Sequence, residues 1–247
     1  MEEALVQKVR EAASPRGFDV HFFKVGWYNE LVDESFHLPY DHDALALLLL
    51  SNPDMFELSF IPFLRSSAYE PTKNDPLDQF IKHYVSHLRE TVLRERDIEV
   101  YYDYEMDPRT RRPRIIMQTA GHAAGAAFYY HQGLISHLLP ENSTHAKKLF
   151  PVSIHPEYGG WFAFRAVIVL RDIRLPEELT LTQPIDCVPR DEDRLQLLQL
   201  FNGQWQDGLY RDINKPKKRY SSIQKEYFIT PPKSRSSIIE KIINTSM

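Results

Sequence analysis

The chain has 247 residues, of which 43% are hydrophobic and 26% are charged, and its net charge is −4. This composition is typical of a soluble globular protein that is long enough for one large domain or two small ones. No segment approaches the roughly 18 consecutive apolar residues of a membrane span, the acidic first residues lack a signal-peptide pattern, and the negative charge disfavours a nucleic-acid partner.

Helix and strand signals alternate in the first half of the chain. Helices are predicted over residues 2–13, which Ser-Pro-Arg-Gly ends, and after Asp75 as N-cap with Pro76 at the first helical position. Strands are predicted at residues 18–22, 44–50 and 98–104. The middle strand is wholly apolar and the other two alternate in polarity, so we expect the middle strand to be buried on both faces. The chain therefore mixes α and β elements.

A segment of very small side chains follows at residues 119–131, which read T-A-G-H-A-A-G-A-A-F-Y-Y-H. Seven of its first nine residues are Ala or Gly. Small side chains let a large, flat group approach the backbone, and the aromatic triplet offers broad contact faces, as a macrocyclic cofactor would require. A small-residue helix packed tightly in a core is the alternative explanation.

The clearest strand covers residues 162–170, and its two faces differ in charge. The face with Phe164 is wholly apolar, whereas the other carries Arg165 among apolar neighbours. A buried guanidinium stays charged and requires an anion, which is either an internal carboxylate or that of a ligand. Arg211 and Arg235, in the basic C-terminal segment, are either solvated surface charges or ligand contacts. The other elements predicted in the second half are a polar loop at 142–148, a helix from Asp191 to about residue 203, and a basic end short of core residues before Ile238, Ile239 and Ile242.

No familiar catalytic motif accompanies these elements, because Walker, GxGxxG, GxSxG and HExxH sequences are all absent. His83 and His87 have the i, i+4 spacing of a zinc pair, but no third ligand is indicated, which favours a solvated or hydrogen-bonded pair. Gly159 and Gly160 permit either a plain tight turn or a close ligand approach. The single cysteine, Cys187, excludes an internal disulfide and indicates a reducing cytosol, so any thiol chemistry would take its thiol from outside.

Nine short segments, spread in order over residues 20–240, form a specific combination. They are W-Y-N-E at 27–30, F-H-L-P at 36–39, D-Y-E at 103–105, R-R-P at 111–113, Q-T-A-G-H-A-A-G-A-A-F-Y-Y at 118–130, I-H-P-E-Y-G-G-W-F-A-F-R at 154–165, D-C-V-P at 186–189, Y-R-D at 210–212 and T-P-P at 230–232. In this ordered combination the chain resembles the cblC-type family of cobalamin-processing proteins, which act as cyanocobalamin decyanases and alkylcobalamin dealkylases.

The resemblance implies an α+β fold with a central, mainly antiparallel sheet flanked by helices, related to the flavin-dependent nitroreductases. It implies one cobalamin-processing domain over residues 1–247, with the basic segment 205–247 covering a glutathione site. Two reactions are expected. Cyanocobalamin loses cyanide by reductive cleavage with electrons from reduced FMN or FAD, and alkylcobalamins pass the alkyl group to glutathione.

The resemblance also implies partners and a place in the cell. Cobalamin is expected to bind with its lower base off cobalt and to pass on to cobalamin-dependent enzymes, with a cblD-type adaptor protein and methionine synthase as partners. The protein is expected in the cytoplasm as a monomer or a ligand-linked homodimer, without membrane or nucleic-acid contact. Two other functions stay open: a carrier that delivers cobalamin without chemistry, and a flavin oxidoreductase with no corrinoid role.

The resemblance places the family's binding residues at named positions of this chain. The cobalamin contacts fall on Asp103, Ile115, Ile116, Met117, Gln118, Tyr129 and Tyr130 and, with a different residue type, on His131, Phe150 and Phe164. The glutathione contacts fall on Arg165, Arg211 and Arg235. Glutathione has two carboxylates, and arginine suits bidentate carboxylate recognition, so the resemblance favours ligand contact for all three arginines.

Four residues are expected to have structural roles beside the corrin ring: His122, Gly125, Gly159 and Gly160. His122 and Gly125 match the H-x-x-G part of a cobalt-binding signature in cobalamin-dependent mutases, in which an Asp two residues earlier orients the His. Ala120 stands at that position here, and a ligating His usually needs such a partner. We therefore expect no protein ligand to cobalt. We also expect the glutathione thiol, and not Cys187, to be the nucleophile.

Overall fold

The computed structural model describes residues 2–71, 75–139 and 148–244 of the chain. Its α-helices are α1 (Glu2–Ala13), α2 (Val25–Asn29), α3 (Ile61–Leu64), α4 (Pro76–Thr91), α5 (Met117–Ala123), α6 (Asp191–Gln204), α7 (Ser222–Ile229) and α8 (Ser236–Asn244). Its strands are β1 (Phe18–Lys24), β2 (Ala44–Ser51), β3 (Ile98–Tyr102), β4 (Phe128–Tyr130), β5 (Val152–Ile154) and β6 (Ala163–Arg174). Within the described ranges, no helix is both long enough and apolar enough to cross a membrane.

The four strands predicted from the sequence form one sheet in the order β1, β2, β6, β3, and each strand is antiparallel to its neighbours. β2 pairs on both sides and all of its residues are buried, as its apolar sequence predicts. Helices cover the sheet on both faces. The predicted α+β class with a central antiparallel sheet is therefore confirmed.

The sheet separates two hydrophobic cores. On one face α1, α4, α7 and α8 pack against the strands, and the rings of Phe18, Phe60 and Tyr227 are fully buried there. On the other face α5 lies so close to the sheet that a Cβ on Gly121 would be 2.1 Å from the ring of Phe164. The small side chains of α5 therefore serve helix–sheet packing, which is one of the two explanations that the sequence left open.

A β-bulge interrupts the pairing of β2 with β6. Leu49 faces Ala166 but the next residue, Leu50, faces Phe164, so Arg165 has no Cα partner on β2. Because an extra residue in one strand reverses the side-chain alternation, Phe164 lies in the core on the α5 side while Ala166 lies in the opposite core. Simple alternation along the strand would place Ala166 on the same apolar face as Phe164, and that part of the predicted face is therefore wrong.

A small second sheet pairs β4 with β5, and α6 packs beside it in a third core. The chain reaches β4 from α5 through a turn at Gly125, whose φ is +66°. The helix predicted from Asp191 is present and ends at Gln204. Residues 142–147 of the predicted polar loop lie outside the described ranges.

The C-terminal segment contributes more to the core than the sequence predicts. Tyr220 and Tyr227 are buried, and the amide side chain of Gln224 is also buried, all ahead of the predicted cluster at Ile238. The expectation of few core residues before Ile238 is wrong, because tyrosines in a basic sequence bury their rings without forming an apolar run.

Candidate functional site

A cavity of about 450 Å³ opens where the segment before α5 meets the start of β6. Its volume lies in the usual range for small-molecule sites. Eight predicted site residues line it: Asp103, Ile115, Ile116, Met117, Gln118, Gly160, Phe164 and Arg211. The hydroxyl of Tyr28 on α2 accepts a hydrogen bond from the Ile116 N–H at 3.0 Å and so fixes the wall before α5.

The bulge in β6 places Arg165 in a buried polar pair. Its Nε donates to Oγ of Ser51 at 2.8 Å, and its Nη1 lies 3.6 Å from the carboxylate of Asp103. Burial raises the pKa of Asp103, and the guanidinium partly offsets that rise. Arg165 therefore has an internal carboxylate, one of the two anions that the sequence left open, and this carboxylate belongs to a residue of the cavity wall.

Arg211 lies at the cavity wall within a cage of aromatic rings. Its guanidinium carbon is 5.2, 5.0 and 5.6 Å from the ring centres of Trp161, Tyr210 and Tyr220. Its Nη1 donates to the carbonyl oxygen of Gly160. Among the described residues no carboxylate pairs with Arg211, so its charge is available to an anionic ligand.

Gly159 and Gly160 allow the chain at Arg211 to approach closely. Gly159 has φ +57°, and a Cβ on it would lie 2.1 Å from the carbonyl oxygen of Arg211. A Cβ on Gly160 would lie 2.9 Å from Cγ of Arg211, and the Gly160 N–H donates to the Arg211 carbonyl at 3.0 Å. The glycine pair thus positions Arg211, and the close approach that it permits is that of the protein chain itself.

Arg235 is held mainly by the protein. Its Nη1 donates to the carboxylate of Asp75 at 3.1 Å, and its Nε donates to the carbonyl oxygens of Tyr227 and Thr230 at 3.2 and 3.1 Å. Its side chain is only 13% exposed. Asp75 also accepts the N–H of Leu77 at 2.9 Å, so the predicted N-cap of α4 is confirmed and has a second role.

Two residues connect the three arginines electrostatically. Burial raises the pKa of Tyr220, and the charges of Arg211 and Arg165 lower it, so both guanidinium groups are close to this phenol. Burial and two neighbouring carboxylates raise the pKa of Asp78 to about 6, against the opposite effect of Arg165 and Arg235. We call these five residues the arginine band. It runs from the cavity wall at Arg211 to the helix cap at Arg235.

The other predicted cobalamin contacts lie outside the cavity wall. Tyr129 is half-buried and His131 is exposed, with ring centres 5.9 Å apart. Tyr130 is fully buried, and its hydroxyl donates to Asp186 at 2.7 Å. Phe150 is 68% exposed and directly precedes a wall residue. The structure therefore gives Tyr130 an internal partner, whereas Phe150 presents a free ring beside the cavity.

His122 lies next to β4 and uses one ring nitrogen within the protein. Its Nδ1 accepts the backbone N–H of Tyr129 at 3.2 Å, and burial lowers its pKa. A neutral ring that accepts at Nδ1 carries its proton on Nε2, so neither nitrogen offers a lone pair to a metal. Gly125 ends the same turn, and a Cβ on it would lie 2.7 Å from the carbonyl oxygen of Thr182.

Neither Cys187 nor the histidine pair shows the features of an activated group. Burial raises the pKa of the Cys187 thiol, and the carboxylate of Asp186 adds to that rise. The His83 ring packs against Phe63 with ring centres 5.4 Å apart. In the described part of the chain, no three His, Cys, Asp or Glu side chains are arranged to hold a metal ion.

Sequence reasoning missed several residues of the site, among them Ser51, Asp78, Ser153 and Phe201. Ser153 and Phe201 line the cavity, and Oγ of Ser153 is buried without a hydrogen-bond partner among the described residues. Asp78 resembles an ordinary acidic residue in the first turn of a helix. Ser51 did leave a signal, since it is a polar residue directly after an apolar run of seven.

Comparison with known proteins assigns the family. The model of the family described as "Methylmalonic aciduria and homocystinuria type C family" matches residues 17–239. The chain belongs to this family. A Gallus gallus protein named "Cyanocobalamin reductase / alkylcobalamin dealkylase" is 44% identical to this type C family member over 239 residues, 97% of each chain. The Homo sapiens protein of the same name is 43% identical over 235 residues, 95% of this chain and 80% of that protein.

A solved structure of the type C family shares the fold. It is the crystal structure of a C. elegans B12-trafficking protein CblC, a human MMACHC homologue. The match has a TM-score of 0.87 at 33% identity and covers 100% of this chain and 98% of that chain. The predicted family and the predicted nitroreductase-like fold class are therefore confirmed.

Proposed function

We propose that this chain is a cobalamin-processing enzyme of the cytoplasm with two activities. It reductively removes cyanide from cyanocobalamin with reduced flavin, and it transfers the alkyl group of alkylcobalamins to glutathione. The names of the relatives support both reactions. One observation carries the proposal: Arg211, which has no carboxylate partner in the described ranges, lies at the wall of a cavity lined by the predicted cobalamin contacts.

The cavity supports binding of cobalamin without its lower base on cobalt. Ile115 and Met117 offer apolar surface to the corrin ring, and Asp103 and Gln118 offer polar groups to its amide side chains. His122 holds its proton on Nε2 and does not replace the missing base. Loss of the lower nitrogen ligand makes cobalt easier to reduce and makes the reduced corrinoid a better leaving group.

The arginine band supports glutathione as the thiol co-substrate. Arg211 is free to bind one of the two carboxylates of glutathione, and this contact would position the thiol beside the corrin ring. A nearby positive charge lowers the pKa of a thiol and raises the fraction of reactive thiolate. At Arg165 and Arg235 a ligand carboxylate must compete with Asp103 and Asp75, so we propose Arg211 as the first anchor.

The same wall fits a reduced flavin, either FMN or FAD. Phe162 and Phe164 offer apolar surface to a flat ring, and Arg211 offers a cation to its phosphate. Reduced flavin supplies the electron that loss of cyanide requires. Because flavin phosphate and glutathione carboxylate then share Arg211, glutathione is expected to compete with FMN.

The proposal includes onward delivery of the product. We propose a cblD-type adaptor protein and methionine synthase as partners, and a protein that acts as a monomer or a ligand-linked homodimer. Exposed aromatic side chains support such contacts: Phe150 is 68% and Trp205 is 48% exposed. We also propose that residues 1–247 form one domain in which the segment 205–247, which supplies Arg211 and Arg235, covers the glutathione site.

Spectroscopy with purified protein tests the proposal and separates it from the two alternatives. The protein is mixed anaerobically with cyanocobalamin and reduced FMN, and with methylcobalamin and glutathione. We expect a base-off spectrum on binding and then loss of the cyanide or methyl ligand. A base-off spectrum without turnover supports a carrier. Tight flavin binding without any change in the corrin spectrum supports a flavin oxidoreductase and contradicts the proposal.

A further inference from the structure

Ser51 lies beside the bulge that turns Arg165 out of the regular strand pairing. It is the last residue of β2, is 1% exposed, and is paired with Ala163 at the start of β6. Its hydroxyl donates to the carbonyl oxygen of Ala163 at 3.2 Å and accepts from Nε of Arg165 at 2.8 Å. One hydroxyl therefore connects the backbone before the bulge to the side chain within it.

This contact fixes which edge of the Arg165 guanidinium remains open. Nε is bound to Ser51, and Nη1 faces Asp103 at 3.6 Å, beyond normal hydrogen-bond length. Nη2 makes no hydrogen bond to the described part of the chain. A guanidinium bonds a carboxylate in a fixed planar geometry. Rotation of the Arg165 side chain would therefore turn its open edge away from the arginine band.

We propose that Ser51 is a positioning residue for the thiol reaction, which acts by holding the open edge of Arg165 toward the glutathione carboxylate. The inference rests on the proposed function, in which Arg211 binds one carboxylate of glutathione, and it assigns the second carboxylate to Arg165. Ser51 does not touch the substrate or the reacting sulfur. Its loss frees Arg165 to turn, leaves Nε unpaired, and lowers the fraction of molecules in which the site is formed.

Kinetics of methylcobalamin dealkylation test the inference. Ser51→Ala should raise the KM for glutathione about 10- to 100-fold, the effect expected for loss of a hydrogen bond to a charged group, with kcat changed less than about twofold. With 2-mercaptoethanol, a thiol without carboxylates, the variant should equal the wild type. Ser59→Ala is the matched control, because Ser59 is also buried but its hydroxyl donates to the Arg16 carbonyl at 2.8 Å and does not bond Arg165.

Two further variants show whether Ser51 acts through Arg165. In an Arg165→Gln background, Ser51→Ala should not raise the KM for glutathione any further. Ser51→Thr, which keeps the hydroxyl, should retain the wild-type KM within about threefold, whereas Ser51→Val, which has the same shape without it, should behave like Ser51→Ala. If the Ala variant does not fold, comparison of the Thr and Val variants tests the role of the hydroxyl.

Each contrary result has a distinct meaning. An unchanged KM in folded Ser51→Ala, equal losses with both thiols, or a further loss in the Arg165→Gln background would overturn the positioning role. If Arg165→Gln itself leaves glutathione saturation unchanged, the proposed ligand role of Arg165 fails instead.

Discussion

Replacement of Arg235 by Gln is predicted to damage the fold more than the thiol site. Its guanidinium bonds the carboxylate of Asp75 at 3.1 Å and two backbone carbonyl oxygens, those of Tyr227 and Thr230. The side chains of Arg235 and Asp75 are 13% and 28% exposed, so the pair is largely desolvated. The substitution leaves a carboxylate and two carbonyl oxygens without their charged donor.

The expected loss of stability follows from that geometry. Removal of one partner of a fully buried ion pair costs about 3–5 kcal/mol. Solvent screening at the partly exposed Asp75 reduces this to about 2–3 kcal/mol. In a chain of this size 1 kcal/mol corresponds to about 2–4 °C in Tm, so we expect Arg235→Gln to melt about 4–12 °C below the wild type. Arg211→Gln leaves no carboxylate unpaired and should cost about 1 kcal/mol or less.

Thermal and urea unfolding of a double-mutant cycle measure this effect. Asp75→Asn keeps the hydrogen bond that caps Leu77, since Asn caps as well as Asp, but it removes the charge. The losses of unfolding free energy caused by Asp75→Asn and Arg235→Gln should therefore not add. Arg190→Gln is the control, because its pair with Asp193 is on the surface and should contribute under about 0.5 kcal/mol. A variant Arg235→Gln that melts within about 1 °C of the wild type and still loses glutathione saturation would contradict a mainly structural role for Arg235.

Four further variants test other parts of the site. Bound methylcobalamin should shift from red to yellow in the wild type and in His122→Ala; a spectrum that turns yellow in the variant alone would show that His122 ligates cobalt. Cys187→Ser should retain most dealkylation, whereas an inactive variant that still binds both substrates would contradict an external thiol. Gly160→Ala should raise the KM for glutathione at least about fivefold, because its Cβ would lie 2.9 Å from Cγ of Arg211; an equal loss of cobalamin affinity in a titration would contradict this role. Asp78 has a pKa of about 6, so it opposes anion binding when ionised above that pH and not when protonated below it. Asp78→Asn should therefore tighten glutathione about 2–3-fold at pH 7.5 but little at pH 5, and calorimetry showing equal gains at both would refute it.

The elements that the sequence predicts well have strong local signals. The apolar run of β2 and the Asp75-Pro76 start of α4 each depend on neighbouring residues in the chain, and both occur where predicted. The bulge at Arg165 depends on the register between β2 and β6. Simple alternation along β6 contains no sign of this bulge and therefore predicts the wrong face for Phe164.

In the candidate site, too, the sequence predicts residue types but not the contacts that tertiary packing creates. Motifs of the resemblance name Arg165, Arg211 and Arg235 as equivalent, because a motif records residue type and not the partner. In the structure two of them already have carboxylates, Asp103 and Asp75, which are distant in the chain. These pairings arise from tertiary packing, and no local pattern predicts them.

The most direct test of alkyl transfer to glutathione follows a labelled methyl group. Protein, methylcobalamin labelled with ¹³C in its methyl group, and glutathione are incubated without oxygen, and the products are analysed by mass spectrometry. We expect the label to accumulate as S-methylglutathione in proportion to the methylcobalamin consumed, and none of it to stay on the protein. Label on Cys187, or binding of both substrates without any labelled thioether, would contradict it.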